Sequence, residues 1–360
     1  MTNAKRTTLI STESFAAGYG GPAYSVACIA KKLQDSGESI FINTSDGTLP
    51  NWGSKDIVAQ SFKQKKFNIV RIFGLWTWRS VGDFVRAWFM GAKIVVSPLG
   101  MLEPWAMSDK GLKKRLAWFL YQKYLLQKAD VIHATSLQEY ANCRLLGLKT
   151  PVAIIPHGVD IPANLALDQR KRKGLFISRL VAKKGVELLL EAISKVRPSG
   201  WTFDIVGDGD KAYILKLQNM IIKLGIDATV KILPPAYGPE KDKHFSEASL
   251  LLLPSYSENF GIVVAEALAR KIPVITTTGT PWSQLPDFEC GWIVEPSLPS
   301  MSAALIEATN CDSKELGLMG ERGHQLISRH FSWTTAAQKH TELSSWLMKD
   351  GVKPDFVNIN

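Results

Sequence analysis

The chain has 360 residues, 46% of them hydrophobic and 21% charged, with a formal net charge of +10. That length exceeds the size at which single cores usually divide, so two domains are expected, and the composition excludes disordered and fibrous classes. No run of roughly 18 apolar residues is present to span a bilayer, the polar start Met1–Arg6 reads as no secretory leader, and Cys28, Cys143, Cys290 and Cys311 stand alone without metal or disulfide spacing, which points to a reducing cytoplasm.

The charge is unevenly divided. Residues 1–158 hold 20 Lys and Arg against 10 Asp and Glu, and the remainder is balanced. An excess confined to one half suggests that this half meets an anionic partner, a membrane surface or a nucleic acid.

In chain order, Thr7–Ser11 is the first strand-like run. It is followed by Gly18-Tyr19-Gly20-Gly21-Pro22 and a helical stretch over Ala23–Gly37. A glycine loop between strand and helix lets backbone approach a phosphate and hands it to a helix N-terminus, although an ordinary βα turn has the same composition. Ser39–Asn43, Asn68–Phe73, Lys93–Ser97 and Val131–Ala134 read as further strands. Between the last two, one helix is expected over Lys110–Ala129, with Lys113, Lys114, Arg115, Lys123 and Lys128 around Trp118, Phe119, Tyr121 and Tyr124. Such a segment lies in an anionic interface, or packs its apolar side on the sheet and leaves its lysines in water. His133 ends a strand, as either a cleft residue or a satisfied structural histidine. Val152–Ile155 runs into the turn Pro156–Asp160, and the basic stretch Leu165–Lys173 reads as a linker.

A second alternation follows: Gly174–Ile177, Trp201–Val206, Thr229–Leu233, Leu250–Pro254, Val274–Thr277 and Gly291–Val294, with helices between. Strands separated by helical patterns imply βαβ units and a parallel sheet. Two arrays make an α/β protein of two doubly wound, Rossmann-like domains facing across a cleft, because ligands bind beyond the carboxyl ends of such strands. The domains are expected at 1–160 and 161–332, with a helix over about 333–348 crossing back to the first. Gly351–Asn360 reads as a frayed tail.

Two clusters carry chemistry. In Pro254-Ser-Tyr-Ser-Glu258-Asn259-Phe260-Gly261-Ile-Val-Val-Ala-Glu266, one carboxylate stands on a loop and another in the second turn of the helix Ile262–Arg270. The helix N-terminus between them offers free amides to an anion. In Ser178-Arg179-Leu-Val-Ala-Lys183-Lys184-Gly185, cations follow a strand, where they could stabilise charge developing on a leaving diphosphate. The bland alternatives are a capping acid, a solvated helix acid and a solvated charge run.

This combination resembles the family-4 retaining glycosyltransferases of GT-B fold, a group that includes bacterial builders of polysaccharide and lipopolysaccharide. Glu258 and Glu266 match the family's Glu-seven residues-Glu signature, and Ser178–Gly185 matches its GRL...KG motif with serine for glycine. Gly74–Trp76, Ser97–Ala106, His133–Ser136, Ile155–Asp160, Val206–Gly209 and Gly279–Trp282 extend the similarity along the chain. The resemblance implies that Arg179 and Lys184 hold the phosphates and Glu258 approaches the donor sugar. It further implies that the amides about Asn259, Phe260 and Gly261 hold sugar hydroxyls, and that Glu266 binds the ribose. Gly20 and Gly21 would lie near the donor phosphate, and Gly207 under the base. Asn259 stands where many relatives have glycine, and Leu99 where many have a histidine that faces the 6-hydroxyl of the sugar.

The expectation is therefore a cytoplasmic transferase, peripheral on the inner face of the cytoplasmic membrane. It would use a UDP- or GDP-linked sugar and a saccharide or lipid-linked acceptor, without cofactor or metal and without nucleic acid. An inactive sugar-nucleotide-binding scaffold is the alternative from another class.

Overall fold

Runs such as Thr7–Ser11 and Lys93–Ser97 are apolar on both faces, which suits strands covered by helices on either side. In a computed structural model, which describes residues 6–16, 21–50, 58–59, 66–108, 111–165 and 170–359, they form one of two parallel sheets. The chain divides into unit 1, residues 1–158 with 333–360, and unit 2, residues 159–332.

The strands of unit 1 from residues 1–158 are β1 (Thr7–Ser11), β2 (Ser39–Asn43), β3 (Val58–Ala59), β4 (Ile69–Phe73), β5 (Lys93–Ser97), β6 (Val131–Ala134) and β7 (Val152–Ile154). They lie in the order β7-β6-β5-β4-β1-β2-β3, all parallel. The intervening helices are α1 (Gly21–Asp35), α2 (Trp78–Phe89), α3 (Pro104–Ser108), α4 (Gly111–Ala117), α5 (Lys123–Lys128) and α6 (Leu137–Leu145). The single helix expected over Lys110–Ala129 is thus broken: a π-helical stretch, Trp118–Gln122, separates α4 from α5. The wider turn carries Trp118 and Gln122 inward with Leu126, while Phe119, Leu120 and Tyr124 stay outside.

Unit 2 contributes β8 (Lys173–Ile177), β9 (Thr202–Val206), β10 (Val230–Leu233), β11 (Leu250–Leu253), β12 (Val274–Thr277) and β13 (Gly291–Val294). Their order is β10-β9-β8-β11-β12-β13, again all parallel. Helices α7 (Val186–Val196), α8 (Lys211–Leu224), α9 (Pro239–Glu247), α10 (Ile262–Ala269), α11 (Leu298–Asn310) and α12 (Ser313–His330) alternate with them. Every residue of β11 is a fully buried leucine, and burial of each such side chain stabilises by about 1.5–3 kcal/mol. Lys173, read above as linker, instead opens β8, where it is held by Asp204 and Glu247 at 2.8 Å each. Two carboxylates beside one ammonium make that position a strand start rather than a spacer; residues 166–169 of the stretch lie outside the described residues.

The last segment returns to unit 1. Helix α13 (Trp333–Leu347) packs against α1, with Trp333 edge-on to Tyr24 at 6.4 Å. Strand β14 (Val357–Asn358) pairs antiparallel with β7, and Ile154 N–H donates to the Phe356 carbonyl at 2.9 Å. The frayed tail expected over Gly351–Asn360 is therefore corrected through residue 359. Pro354 and Val357 are buried, and the edge of the sheet supplies the partners this segment needs. A further tie is Arg71 of β4, fully buried, which donates through Nη1 to His340 Nδ1 at 3.2 Å. Its Nη2 donates to the His340 carbonyl at 3.1 Å and to Ser344 Oγ at 2.8 Å.

Candidate functional site

In a parallel sheet, a crevice opens where the strand order reverses, because the loops on either side of that point turn away from each other. In unit 2 the reversal falls between β8 and β11. The loop after β8 is Ser178–Gly185 and the loop after β11 is Pro254–Gly261. These are the two segments whose residue types pointed to chemistry.

Backbone contacts fix them together. Tyr256 N–H donates to the Lys183 carbonyl at 2.9 Å, and a Cβ on Gly185 would lie 2.1 Å from the Pro254 carbonyl oxygen. Gly185 also has φ of +68°, so both its conformation and its close neighbour require glycine. Lys184 Nζ thereby reaches Glu258 Oε1, which also accepts from Ser255 Oγ at 2.7 Å. The Glu258 N–H donates to the Gly279 carbonyl at 2.8 Å, anchoring the loop to the segment after β12. The side chains of Lys184 and Glu258 are largely buried, so their pairing is screened far less than a surface salt bridge.

Gly261, at φ +68°, precedes α10 and supplies no side-chain cap. In the first turn of α10 the Val264 N–H donates back to the Gly261 carbonyl at 2.9 Å, and helix geometry leaves the Ile262 and Val263 amides to point outward. Phe260 is buried against Trp282, whose indole Nε1 donates to the Phe260 carbonyl at 2.6 Å and holds the turn from beneath. Asn259 keeps a buried side-chain Oδ1 with no hydrogen-bond partner among the described residues. Such an atom costs free energy until a donor reaches it. Glu266, in the second turn, accepts from Lys241 Nζ of α9 at 2.6 and 2.7 Å. Arg179 is exposed and makes no ion pair among the described residues. Gly207 follows β9, where a Cβ would lie 1.9 Å from the Ser178 carbonyl oxygen. Glycine is needed there for backbone approach between neighbouring loops.

Lys241, Ser255 and Trp282 were not singled out individually from the sequence. Ser255 and Trp282 sit within motifs that were; Lys241 stands 25 positions before Glu266, and no local pattern links the two.

In unit 1 the reversal lies between β1 and β4. Gly20 falls outside the described residues, and Gly21 is the exposed first residue of α1. Leu99 follows β5 with φ of +54°, a left-handed conformation that disfavours a branched side chain by about 1–2 kcal/mol. Glu139 holds the turn, accepting the Gly100 N–H at 2.7 Å and the Thr135 N–H at 2.8 Å. Burial raises the Glu139 pKa to about 7. His133 is buried: Nε2–H donates to the Ile155 carbonyl at 2.9 Å and Nδ1 accepts from Ser97 Oγ at 2.8 Å. Burial lowers its pKa to about 4. With both nitrogens engaged and no open face, His133 is the satisfied structural histidine of the two readings rather than a cleft residue.

Residues 160–325 match the family described as glycosyl transferases group 1. The chain is 30% identical over 202 residues to a D-inositol 3-phosphate glycosyltransferase of Arthrobacter sp., covering 52% of this chain and 48% of that one. It spans about half to three-fifths of the length of the first curated relatives it matches. Among solved structures, sucrose-phosphate synthase from Thermosynechococcus elongatus superposes with a TM-score of 0.78 at 17% identity, covering 96% of this chain and all of that one. Anabaena HepE in complex with UDP and glucose gives 0.75 at 18% identity, covering 95% and 100%. The fold is GT-B, with two parallel-sheet α/β domains.

Proposed function

We propose that this chain, whose residues 160–325 match the model of the group 1 glycosyltransferases, transfers a sugar from a nucleoside diphosphate donor to a saccharide or lipid-linked acceptor in cell-surface polysaccharide or lipopolysaccharide synthesis. The observation that carries the reading is the Lys184–Glu258 pair across the strand-order reversal of unit 2, beside the exposed Arg179. When the glycosidic bond breaks, negative charge grows on the diphosphate. Arg179, Lys184 and the amides of α10 are fixed donors that stabilise it without reorganisation. Glu258 positions Lys184 and faces the sugar with Asn259. Glu266 exchanges Lys241 for ribose hydroxyls when the nucleotide arrives, and Gly207 lies under the base. The leaving phosphate takes the proton of the acceptor, so transfer proceeds with retention of anomeric configuration. Binding of UDP by HepE supports a uridine or similar donor.

Because cations of the protein meet the diphosphate, activity is expected to survive removal of divalent metal. Full loss in EDTA, restored by Mg²⁺ or Mn²⁺, would overturn that point. A thermal-shift screen against UDP, GDP and their sugars tests the whole reading, since a ligand that binds the folded state raises its apparent stability. No stabilisation by any nucleoside diphosphate would remove it, and stabilisation without transfer would leave an inactive scaffold.

Leu99 refines the donor. An apolar side chain at this turn suits a methyl or a missing substituent at C6. A hydroxyl left unpaired against it would cost about 1–3 kcal/mol. The donor sugar is therefore a 6-deoxyhexose or a pentose. Preference for glucose, galactose or mannose donors over their 6-deoxy counterparts would refute this, and Leu99→His should shift preference toward the hydroxylated sugar.

A lipid-linked acceptor would put the reaction at the inner face of the cytoplasmic membrane. The basic excess of residues 1–158 would attract an anionic leaflet, and among the described residues no helix is long and apolar enough to cross it. Attraction of this kind weakens as salt shortens the Debye length, which is about 8 Å at physiological ionic strength. Equal binding to neutral and anionic vesicles would contradict it.

A further inference from the structure

Unit 1 carries a surface that electrostatics alone does not explain. On α2, Trp78 is 84% exposed and Phe89 80% exposed, with Val85 and Trp88 exposed between them. At 100° per residue, positions 78, 85, 88 and 89 fall in one stripe on the helix, opposite the buried Phe84 and Ala87. Along α4 to α5, Leu112, Leu116, Phe119, Leu120 and Tyr124 face solvent, while Trp118 and Leu126 face the core. This segment is apolar on two sides, and the sheet covers only one.

The two stripes adjoin. The Trp78 ring stacks on Tyr121 at 6.0 Å, and Trp76 N–H donates to Gln122 Oε1 at 3.4 Å. The half-exposed Trp105 of α3 extends the patch, since Lys114 Nζ donates to the Ala106 carbonyl at 2.5 Å and holds α3 beside α4. Around it stand Lys113, Arg115 and Lys128, all exposed, and Arg86 on α2. The only acid of α2 is the buried Asp83, and α3, α4 and α5 contain none.

We infer that this patch inserts its apolar side chains into the interfacial layer of an anionic membrane, with the lysines seated on the headgroups. The inference rests on the membrane reading above and replaces a purely electrostatic attachment with one that has an apolar part. One feature selects a lipid surface over a protein partner: lysine is depleted at protein interfaces, yet Lys113 and Lys128 rim this patch, and among the described residues no ion pair reaches either of them. Tryptophan, phenylalanine and leucine beside exposed lysine is the composition of helices that lie in a bilayer interface.

The test uses the full chain and vesicles of phosphatidylglycerol with phosphatidylethanolamine, against phosphatidylcholine vesicles as the neutral control. Binding to the anionic vesicles should fall as salt rises but level off at a remainder that salt does not remove. Trp78→Ser and Phe119→Ser should each lower that remainder roughly tenfold, with melting temperature unchanged because both side chains are already in solvent. Bromine-labelled acyl chains should quench the tryptophan fluorescence of the wild type more than that of Trp78→Ser. If salt abolishes binding completely and both variants bind like the wild type, the apolar part is wrong and the electrostatic reading stands. Absence of binding to anionic vesicles at low salt overturns both. A concentration-dependent dimer, lost in the same variants, with no vesicle binding, would make a second copy of this chain the occupant instead.

Discussion

The two units are built from the same plan and use their polar residues in opposite ways. In each, parallel strands reverse order once, and loops at the carboxyl ends flank the reversal. Unit 2 pairs its charges at those loops and on the adjoining helices, Lys184 with Glu258 and Lys241 of α9 with Glu266 of α10, and these are the pairs proposed to open for a ligand. Unit 1 buries Arg71, His133 and His340 in its interior and turns aromatic side chains outward on α2 and the α4–α5 segment. A sheet of this kind stabilises itself from its core whichever way the surface is arranged. The surface is then free to differ between the units, and the partners proposed above differ with it, a nucleotide for one and a lipid layer for the other.

The sharpest way to break the comparison is to damage one unit without the other. Arg71→Ala removes three hydrogen bonds and leaves a cavity among buried polar groups. It should destabilise unit 1 by about 3–5 kcal/mol. Calorimetry should show the loss in a transition that nucleotide does not stabilise; an unchanged unfolding profile would remove Arg71 as the tie to α13. Lys184→Ala should do the converse. The barrier should rise by roughly 2–4 kcal/mol, a loss of turnover of about thirtyfold to a thousandfold, while the protein stays folded. Glu266→Ala should follow it, and near-native turnover in either folded variant would exclude that residue from the site.

Acid should separate the units more gently. Burial holds His133 near 4 and His157 near 3, and lowers His340 as well, against an ordinary 6.5. These groups are neutral in the fold, so below 6.5 the unfolded chain takes up protons first. Their stabilising contribution is complete above 6.5 and is lost as pH falls toward about 4 and then 3. Each buried histidine gives up about 1.4 kcal/mol for every pH unit crossed in that window. Glu139 works the other way: raised from 4.5 to about 7, its contribution is complete below 4.5 and lost as pH rises through 7. Burial raises Asp83 as well, in the same sense as Glu139, and three histidines against two carboxyls still leave melting of unit 1 expected to fall between pH 6.5 and 4. A flat profile over that range would mean the histidines are not buried as described. The smallest effect belongs to Asn259→Gly, which removes the unpartnered Oδ1. It should leave stability within about 1 kcal/mol and raise the Michaelis constant for the donor; an unchanged constant would free Asn259 from sugar contact.

Much of the fold could be read from the chain. Thr7–Ser11, Ser39–Asn43, Lys93–Ser97 and Val131–Ala134 are strands with the bounds their β-branched runs suggest. What escaped was set by distant partners. Val357–Asn358 looks like a polar tail until β7 offers an open edge. The break at Trp118–Gln122 answers to packing, since nothing in the run of residues forbids a continuous α-helix. In the site, the segments Ser178–Gly185 and Pro254–Gly261 each carry their chemistry in consecutive residues and were legible as motifs. Lys241 becomes part of the site only because α9 lies against α10 and brings it to Glu266.

The return of α13 and β14 to unit 1 sets an order for biosynthesis. Unit 2 is one unbroken stretch of chain, residues 159–332, and can finish folding as it leaves the ribosome. Unit 1 begins first but ends last, because Arg71 lacks its partners His340 and Ser344, and β7 its neighbour, until residues 333–359 have emerged. Non-local closure of this kind is slow and leaves apolar edges open meanwhile. A ribosome-bound chain stopped after unit 2 should therefore show a protease-resistant unit 2 and a cleavable unit 1.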